Sequence, residues 1–325
     1  MQAFSLHRPH SAADAIAAAQ SQGSKYIAGG SDLMQLMKDN IEAPTRLVDL
    51  ERVGLTGIHG DSKGLRLEAM ARMSDVASHP VVRERWPVIS QALLASASPQ
   101  VRNMGTIGGN LLQRTRCGYF RDTGFNCNKR EPGTGCPAIK GESRMLGLLG
   151  VSDNCIASHA SDLAVALMAL DATLELRGAN GAQRQVPLAE FYRLPGDTPH
   201  IETALAAGEM IEAVTVAESP AARNSHYLKV RDRSSFEFAL VSAAVALDAD
   251  GGTVRDIRVA AGGVGARPWR LPEVEAALHG ARLNDGALRE ASARAGVGAR
   301  PTEQNQFKLT LLRRTVLRAL QTASA

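Results

Sequence analysis

Apolar and polar positions alternate between helical and extended periods through the first fifty residues. Ala12 to Gln20 is alanine-rich, with Ser11 placed as N-cap and Asp14 at the capping-box position, and Gly23 closes that helix. Lys25-Tyr26-Ile27-Ala28 reads as a short buried strand that breaks at Gly29-Gly30. Ser31 can cap a second helix, in which Leu33, Leu36 and Met37 form one apolar stripe. Thr45 to Leu50 predicts another strand, so this stretch forms a small α/β unit with a glycine turn at one strand's end.

The period changes at Gly64. Gly64 to Met70 alternates as a half-buried strand does, and a helical stretch follows from Val81 to Ala97. Ser161 to Leu170 is apolar, Ala172 to Leu176 returns as a strand, and Leu194 to Pro199 is a Pro/Gly-rich connecting loop. In the last third, His226 to Val230, Ala239 to Leu247 and Thr253 to Ala261 are extended runs. Asp248 to Gly252 supplies a hairpin turn between the second and third. Helices close the chain, ending with Phe307 to Leu320, where Leu311, Leu312, Val316 and Leu320 share a face. This last third reads as a separate antiparallel sheet backed by helices. The chain shows no internal repeat or low-complexity tract.

Length and composition narrow the function. A chain of 325 residues can bury substantial cores in two or three domains. Hydrophobic residues at 44% and charged residues at 22% are ordinary for a globular protein. No apolar run is long enough to span a membrane. Met1 to His10 lacks the charged-then-apolar pattern of a secretory signal, so no export address is expected on this chain. A net charge of +4, from 37 basic and 33 acidic residues, with 4% aromatics, argues against nucleic acid.

Two glycine turns carry candidate chemistry. In Ile27-Ala28-Gly29-Gly30-Ser31-Asp32-Leu33 a strand meets a helix, and successive free N–H groups there can face a diphosphate. The same residues also make an ordinary strand-to-helix turn, and they are neither the G-x-G-x-x-G fingerprint nor a Walker A loop. Thr106-Ile107-Gly108-Gly109-Asn110 repeats the arrangement with short polar side chains suited to phosphate or ribityl oxygens. Two such turns could clamp one extended dinucleotide. Ser158-His159-Ala160-Ser161-Asp162 places further small polar groups before an apolar helix, where a helix cap is the plainer reading.

Directly after the second turn come all four cysteines, Cys117, Cys127, Cys136 and Cys155, spaced C-x9-C-x8-C-x18-C. Structural zinc usually shows C-x2–4-C knuckles, which are missing here. Disulfides suit small secreted chains better than this one. A [4Fe–4S] cluster needs four thiolates and tolerates varied spacing; reduced free cysteines also remain open. Arg114, Arg116, Arg121, Lys129, Arg130 and Lys140 face only Asp122 and Glu131 between positions 114 and 140, a bias that favours an anionic cluster. His159 is a conceivable metal ligand, but a histidine at a helix start or beside a flavin is the simpler assignment.

Taken together, these residues resemble the FAD-binding subunit of the molybdenum hydroxylases, the xanthine dehydrogenase and aldehyde oxidoreductase family, over essentially the whole chain. Ala28 to Leu33 is similar to that family's first FAD loop, although many members have threonine at the position of Ser31. Thr106 to Leu111 is similar to its second loop and Ser161-Asp162-Leu163 to its third flavin motif. Tyr227 to Arg231, Ala261 to Val264 and Pro268-Trp269-Arg270 resemble its C-terminal domain. Most members lack the cysteine insert. Gln113 to Cys117, Cys127 to Arg130 and Gly135-Cys136 are especially similar to the flavoprotein subunit of bacterial periplasmic aldehyde oxidoreductase, with that of 4-hydroxybenzoyl-CoA reductase as the rival.

The resemblance implies an α+β fold: a two-subdomain FAD-binding domain of the PCMH or vanillyl-alcohol-oxidase type, plus a C-terminal CO-dehydrogenase-flavoprotein-like domain of antiparallel sheet and helices. The implied layout is 1–219 for the FAD domain (subdomains about 1–55 and 56–177, iron–sulfur insert 113–156) and 220–325 for the C-terminal domain. It implies FAD held by Tyr26, Ile27, Ala28, Gly29, Gly30, Ser31, Asp32, Leu33, Thr106, Gly108, Gly109 and Asn110, with Asp162, Ile211 and Lys229 as further contacts. It makes Cys117, Cys127, Cys136 and Cys155 the ligands of a [4Fe–4S] cluster. A large molybdenum-cofactor subunit and a small [2Fe–2S] subunit become the expected partners, with an external electron acceptor. No catalytic acid, base or nucleophile is expected on this chain. Co-export on a twin-arginine-bearing partner would place it in the periplasm; otherwise it stays in the cytoplasm. The competing reading from another class is a nucleotide-binding module whose cysteines hold zinc or stay free.

Overall fold

The computed structural model describes residues 1–325. Three sheets build the molecule. The first is parallel, in the order Ser5–His7, Arg46–Asp49, Ser24–Ile27, with the helix Ala12–Ala19 crossing between strands. Ser11 caps that helix by accepting the Asp14 N–H at 3.1 Å, as its position predicts. The strand Ser24–Ile27 is half-buried rather than buried, because it is the sheet edge that faces the central cavity. Ser31 does not cap the following helix, Leu33–Lys38. Asp32 occupies the cap position and makes no capping hydrogen bond, its carboxylate being engaged elsewhere.

The second sheet is antiparallel, ordered Ile58–Gly60, Gly64–Glu68, Met210–Ala217, Thr173–Arg177, Gln183–Pro187. Leu67, Val214 and Leu174 stand level across its three central strands in the main core. Met210–Ala217 is covered on both faces and therefore shows no alternation to read. Its buried Glu212 is held by Arg177 through paired bonds of 2.6 and 2.8 Å. The helical stretch around 81–97 is two helices, Pro80–Arg85 and Pro87–Ala95. Pro87 forces Trp86 out of helical geometry, to φ −136° and ψ 55°, and starts the second helix itself.

The third sheet, Trp269–Arg270, Thr253–Gly262, Val241–Asp250, Ser225–Val230, is antiparallel and matches the extended runs of the last third. One face carries Ala243, Val245 and Leu247 against Leu312, Val316 and Leu320 of the helix Phe307–Ala323. The opposite face carries Ala244, Ala246 and Ala260 and packs on the helix Asp162–Ala169. All of that helix is buried, which is why its apolar pattern shows no polar side. The small residues set the approach: a Cβ on Gly262 would lie 2.5 Å from Val165 Cγ2. The helix is thereby clamped between the second and third sheets, with its N-terminal residue Asp162 at the central cavity.

Candidate functional site

A cavity of about 780 Å³ opens between the parallel sheet, the segment 96–116 and the loop that follows Ser225–Val230. That volume lies within the roughly 300–1,000 Å³ of cofactor sites. Tyr26, Ile27, Ala28, Gly29, Gly30, Ser31, Asp32 and Leu33 border it from one side, and Thr106, Gly108, Gly109 and Asn110 from the other. Asp162, Ile211 and Lys229 complete the wall, so the fold gathers every residue expected at the dinucleotide onto one surface.

The two glycine turns touch each other. A Cβ on Gly29 would sit 2.0 Å from the Met104 carbonyl oxygen and 3.2 Å from Gly105 Cα, so only glycine lets the first turn lie against the entry to the second. Gly30 has φ +67°, the left-handed region that turns the chain from strand to helix. At the second turn the Thr106 hydroxyl accepts the Gly109 N–H at 3.2 Å, and Asn110 Oδ1 accepts the Ser161 hydroxyl at 2.6 Å. Ser161 in turn accepts the Ala164 N–H at 2.9 Å and caps the buried helix, as expected for that motif. Across the cavity the Tyr26 hydroxyl donates to the Gly208 carbonyl at 2.8 Å, and burial pushes its pKa up to about 12.

At one end of the cavity a buried polar knot forms. Asp162 accepts hydrogen bonds from Ser96 Oγ at 2.8 Å, Tyr227 Oη at 2.5 Å and Lys229 Nζ at 2.8 Å. Lys229 also donates to the Ala95 carbonyl at 3.1 Å. The Asp162 and Lys229 side chains are only 7% and 4% exposed, so this is an internal ion pair. Burial, with the Asp162 charge beside it, raises the Tyr227 phenol well above its ordinary pKa and keeps it a donor.

Cys117, Cys127, Cys136 and Cys155 line a second, small cavity walled by Tyr119, Phe120, Ala138 and Ala157. None is disulfide-bonded, and three are buried. Burial pushes the Cys117 thiol up to about 11 and raises Cys136 and Cys155 as well. Burial therefore favours the neutral thiol at these three positions. No three His, Cys, Asp or Glu side chains converge closely enough to hold a single metal ion. His159 borders neither cavity; its Nδ1 accepts the Ser161 N–H at 3.3 Å, its ring meets Tyr192 edge-on at 4.5 Å, and burial lowers its pKa to about 4.

The local excess of positive charge is largely cancelled by distant acids, which corrects the linear charge count. Arg114 bonds Glu42 at 2.5 Å and also pairs with Glu202, while Lys129 reaches Glu202 at 2.9 Å. Arg116 and Arg121 both reach Asp32, at 2.9 and 2.7 Å. Arg130 donates to the carbonyls of Tyr119 and Phe120 at 3.0 and 2.9 Å. Sequence reasoning also missed the loop at the cavity mouth. There Arg116 stacks on Phe238 at 4.7 Å, and Phe236, 56% exposed, sits at φ 51°. The run Arg231-Asp232-Arg233 offers only ordinary surface polarity as a signal.

A mixed α+β chain that joins two glycine turns around one large cavity, backed by a sheet-and-helix layer, has the architecture of a two-domain FAD-binding protein. Residues 2–218 match the family described as FAD binding domain in molybdopterin dehydrogenase, and residues 226–323 match the CO dehydrogenase flavoprotein C-terminal domain. The chain therefore belongs to the FAD-binding subunits of the molybdenum hydroxylase family, in which FAD is the cofactor. It is 48% identical over 328 residues to the aldehyde oxidoreductase FAD-binding subunit PaoB of Escherichia coli K12, covering 100% of this chain and 99% of that protein. It is 28% identical to the carbon monoxide dehydrogenase medium chain of Afipia carboxidovorans, covering 97% of this chain and 96% of that one. The solved carbon monoxide dehydrogenase of Hydrogenophaga pseudoflava superposes with a TM-score of 0.77 at 27% identity, covering 99% and 97% of the two chains. These relatives are subunits of oxidoreductase complexes. No helix here is long and apolar enough to cross a membrane.

Proposed function

We propose that this chain is the FAD- and [4Fe–4S]-carrying electron-transfer subunit of a heterotrimeric molybdenum aldehyde oxidoreductase, organised as a FAD-binding domain over 1–219 and a C-terminal domain over 220–325. One observation carries the reading beyond the family: four cysteines drawn from positions 117 to 155 line a single cavity, and the peptide that bears the first of them also borders the dinucleotide cavity. A cubane spaces its four thiolates more widely than a single ion does, so the lack of a single-ion site is compatible with a cluster. The thiols enclose only about 10 Å³, so a cluster would fit only if they drew apart. Bound here, FAD and the cluster supply one- and two-electron transfer between a partner that oxidises an aldehyde to its acid and an external acceptor.

The residues of this chain bind and orient. Gly29, Gly30 and Ser31 of the first turn and Thr106, Gly108, Gly109 and Asn110 of the second grip the dinucleotide from two sides, and the Tyr26–Gly208 bond braces the cavity wall. Ile211 gives an apolar wall, and Lys229, neutralised by Asp162, places a donor at the far end. The aldehyde assignment follows the similarity to the E. coli subunit; a large molybdenum subunit and a small [2Fe–2S] subunit are the partners this reading adds. The location in this reading is the periplasm, reached by co-export on a twin-arginine-bearing partner, and otherwise the cytoplasm. Anaerobic purification with absorbance and metal analysis tests the reading. Flavin bands and about four irons per chain are expected; one zinc and no flavin would leave a plain nucleotide-binding module. Cys127→Ser should lose most of its iron and keep its FAD, because the glycine turns lie elsewhere. Unchanged iron would remove Cys127 from the ligand set.

A further inference from the structure

Asp32 stands in the first glycine turn, where an anionic cofactor is expected, and a carboxylate facing phosphates would repel them. Its side chain points to the cysteine segment instead. Asp32 Oδ2 accepts the Arg114 backbone N–H at 2.8 Å. Asp32 Oδ1 accepts from Arg121 Nη2 at 2.7 Å and lies 2.9 Å from Arg116 Nη2. Three donors within five residues of Cys117 thus converge on one carboxylate, which offers about four acceptor sites in all. The cap of its own helix goes unmade as a result. Arg121 continues the link inward, donating to the carbonyls of Thr115 at 2.9 Å and Arg114 at 3.2 Å. Arg116 extends it toward the cavity mouth by stacking on Phe238. The side chains of Asp32 and Arg121 are each 15% exposed, so the pairing is sheltered from solvent.

We propose that Asp32 is a positioning residue: its carboxylate ties the first glycine turn to the peptide bearing Cys117, and so fixes the separation between the dinucleotide cavity and the thiol cavity. The purpose of that tie rests on the electron-transfer reading above, since transfer between two centres falls steeply with distance. The tie itself stands on the contacts alone. Asp32 therefore serves FAD indirectly, although it borders the same cavity.

The full chain is compared with Asp32→Asn, Asp32→Glu and Arg121→Gln. FAD and iron per chain are measured, together with the rate at which N-ethylmaleimide labels Cys117 in iron-stripped protein, read by mass spectrometry. Asp32→Asn keeps the size and removes the charge. Loss of the charge-assisted bonds should raise transient opening of the segment, and with it Cys117 labelling, about ten-fold. Iron should fall while FAD per chain holds, and Asp32→Glu should restore both. Arg121→Gln breaks the tie from the cysteine side, leaves the first turn intact and should give the same pattern, which covers the case in which Asp32→Asn fails to fold. FAD loss with labelling and iron unchanged would make Asp32 a cofactor ligand and overturn the proposal. So would labelling of Asp32→Asn and Arg121→Gln at the wild-type rate. Wild-type protein without flavin or iron would overturn the electron-transfer reading, and the labelling comparison would still decide the tie.

Discussion

Gly29→Ala perturbs the point where the two glycine turns meet. The added methyl would lie 2.0 Å from the Met104 carbonyl oxygen and 2.6 Å from its carbon, whereas ordinary contact begins at 3.4 Å. Both obstacles are backbone atoms, so no side chain can rotate away, and one turn must retreat by more than about 1 Å. Overpacking of this kind costs about 1–3 kcal/mol. A dinucleotide gripped by both turns feels the retreat directly, and if most of the cost falls on the bound state its affinity drops about 5- to 150-fold. The assay is fluorescence titration of FAD into deflavinated protein, with a thermal melt run beside it. Gly118→Ala is the control, because no atom lies within 4 Å of the added carbon and the residue has no positive φ. Gly108→Ala is intermediate, with Ala69 Cβ at 3.0 Å. A folded Gly29→Ala protein that binds FAD within about two-fold of wild type would refute the argument that the two turns grip one ligand.

Lys229→Met leaves the buried Asp162 carboxylate without its cation and should cost about 3–5 kcal/mol in denaturant unfolding, partly recovered by adding Asp162→Asn. A loss below about 1 kcal/mol would mean that water replaces the ammonium group. His159 is held neutral, its pKa lowered by burial from 6.5 to about 4, so between those values the unfolded chain binds the extra proton. Stability should therefore fall as pH drops from about 6.5 toward about 4, by on the order of 2–3 kcal/mol in all. His159→Gln should flatten that part of the pH–stability profile, and an unchanged slope would assign the acid sensitivity to other groups.

Where an element is solvated on one side, its pattern was readable. The helix capped by Ser11, the alternating Gly64–Glu68 and the hairpin around Gly251-Gly252 all show their period or their turn chemistry. Legibility failed where both faces are covered. Met210–Ala217, central in its sheet, presents a nearly continuous apolar run interrupted by a glutamate whose arginine partner lies on the neighbouring strand. Short helices headed by proline, such as Pro99–Met104, are too brief to show a period, and only the proline marks them. The glycine turns were visible because glycine is costly without a reason. That the turns abut at Gly29 was not, since the contact joins positions 29 and 104 and depends on the fold.

The cysteine segment shows most clearly what a linear reading leaves out. Counted between positions 114 and 140, six cations face two acids and suggest a positive field around four thiolates. In the fold, Asp32, Glu42 and Glu202 arrive from other segments and pair with Arg114, Arg116, Arg121 and Lys129. Through Asp32 and Glu42, Arg114, Arg116 and Arg121 thus join the cysteine peptide to the wall of the dinucleotide cavity, which leaves Lys129 as the cation that acts on sulfur, at Cys155. What reaches the sulfurs is backbone, together with the Lys129 charge at Cys155. The backbone amides of Tyr119 and Phe120 favour the Cys117 thiolate, those of Ile156, Ala138 and Ile139 that of Cys136, and Lys129 and then the Ala157 amide that of Cys155. Each acts against burial, which is the larger effect and raises all three thiols. Amides near the sulfurs are among the levers that set a cluster's potential, and here they are carried by the turns that glycine and proline build around the cavity. The potential of a cluster at this site should therefore respond to changes in those turns more than to removal of any one arginine. A larger shift from Arg114→Gln than from Pro137→Ala, measured by redox titration, would reverse that order and restore the linear charge count as the better guide.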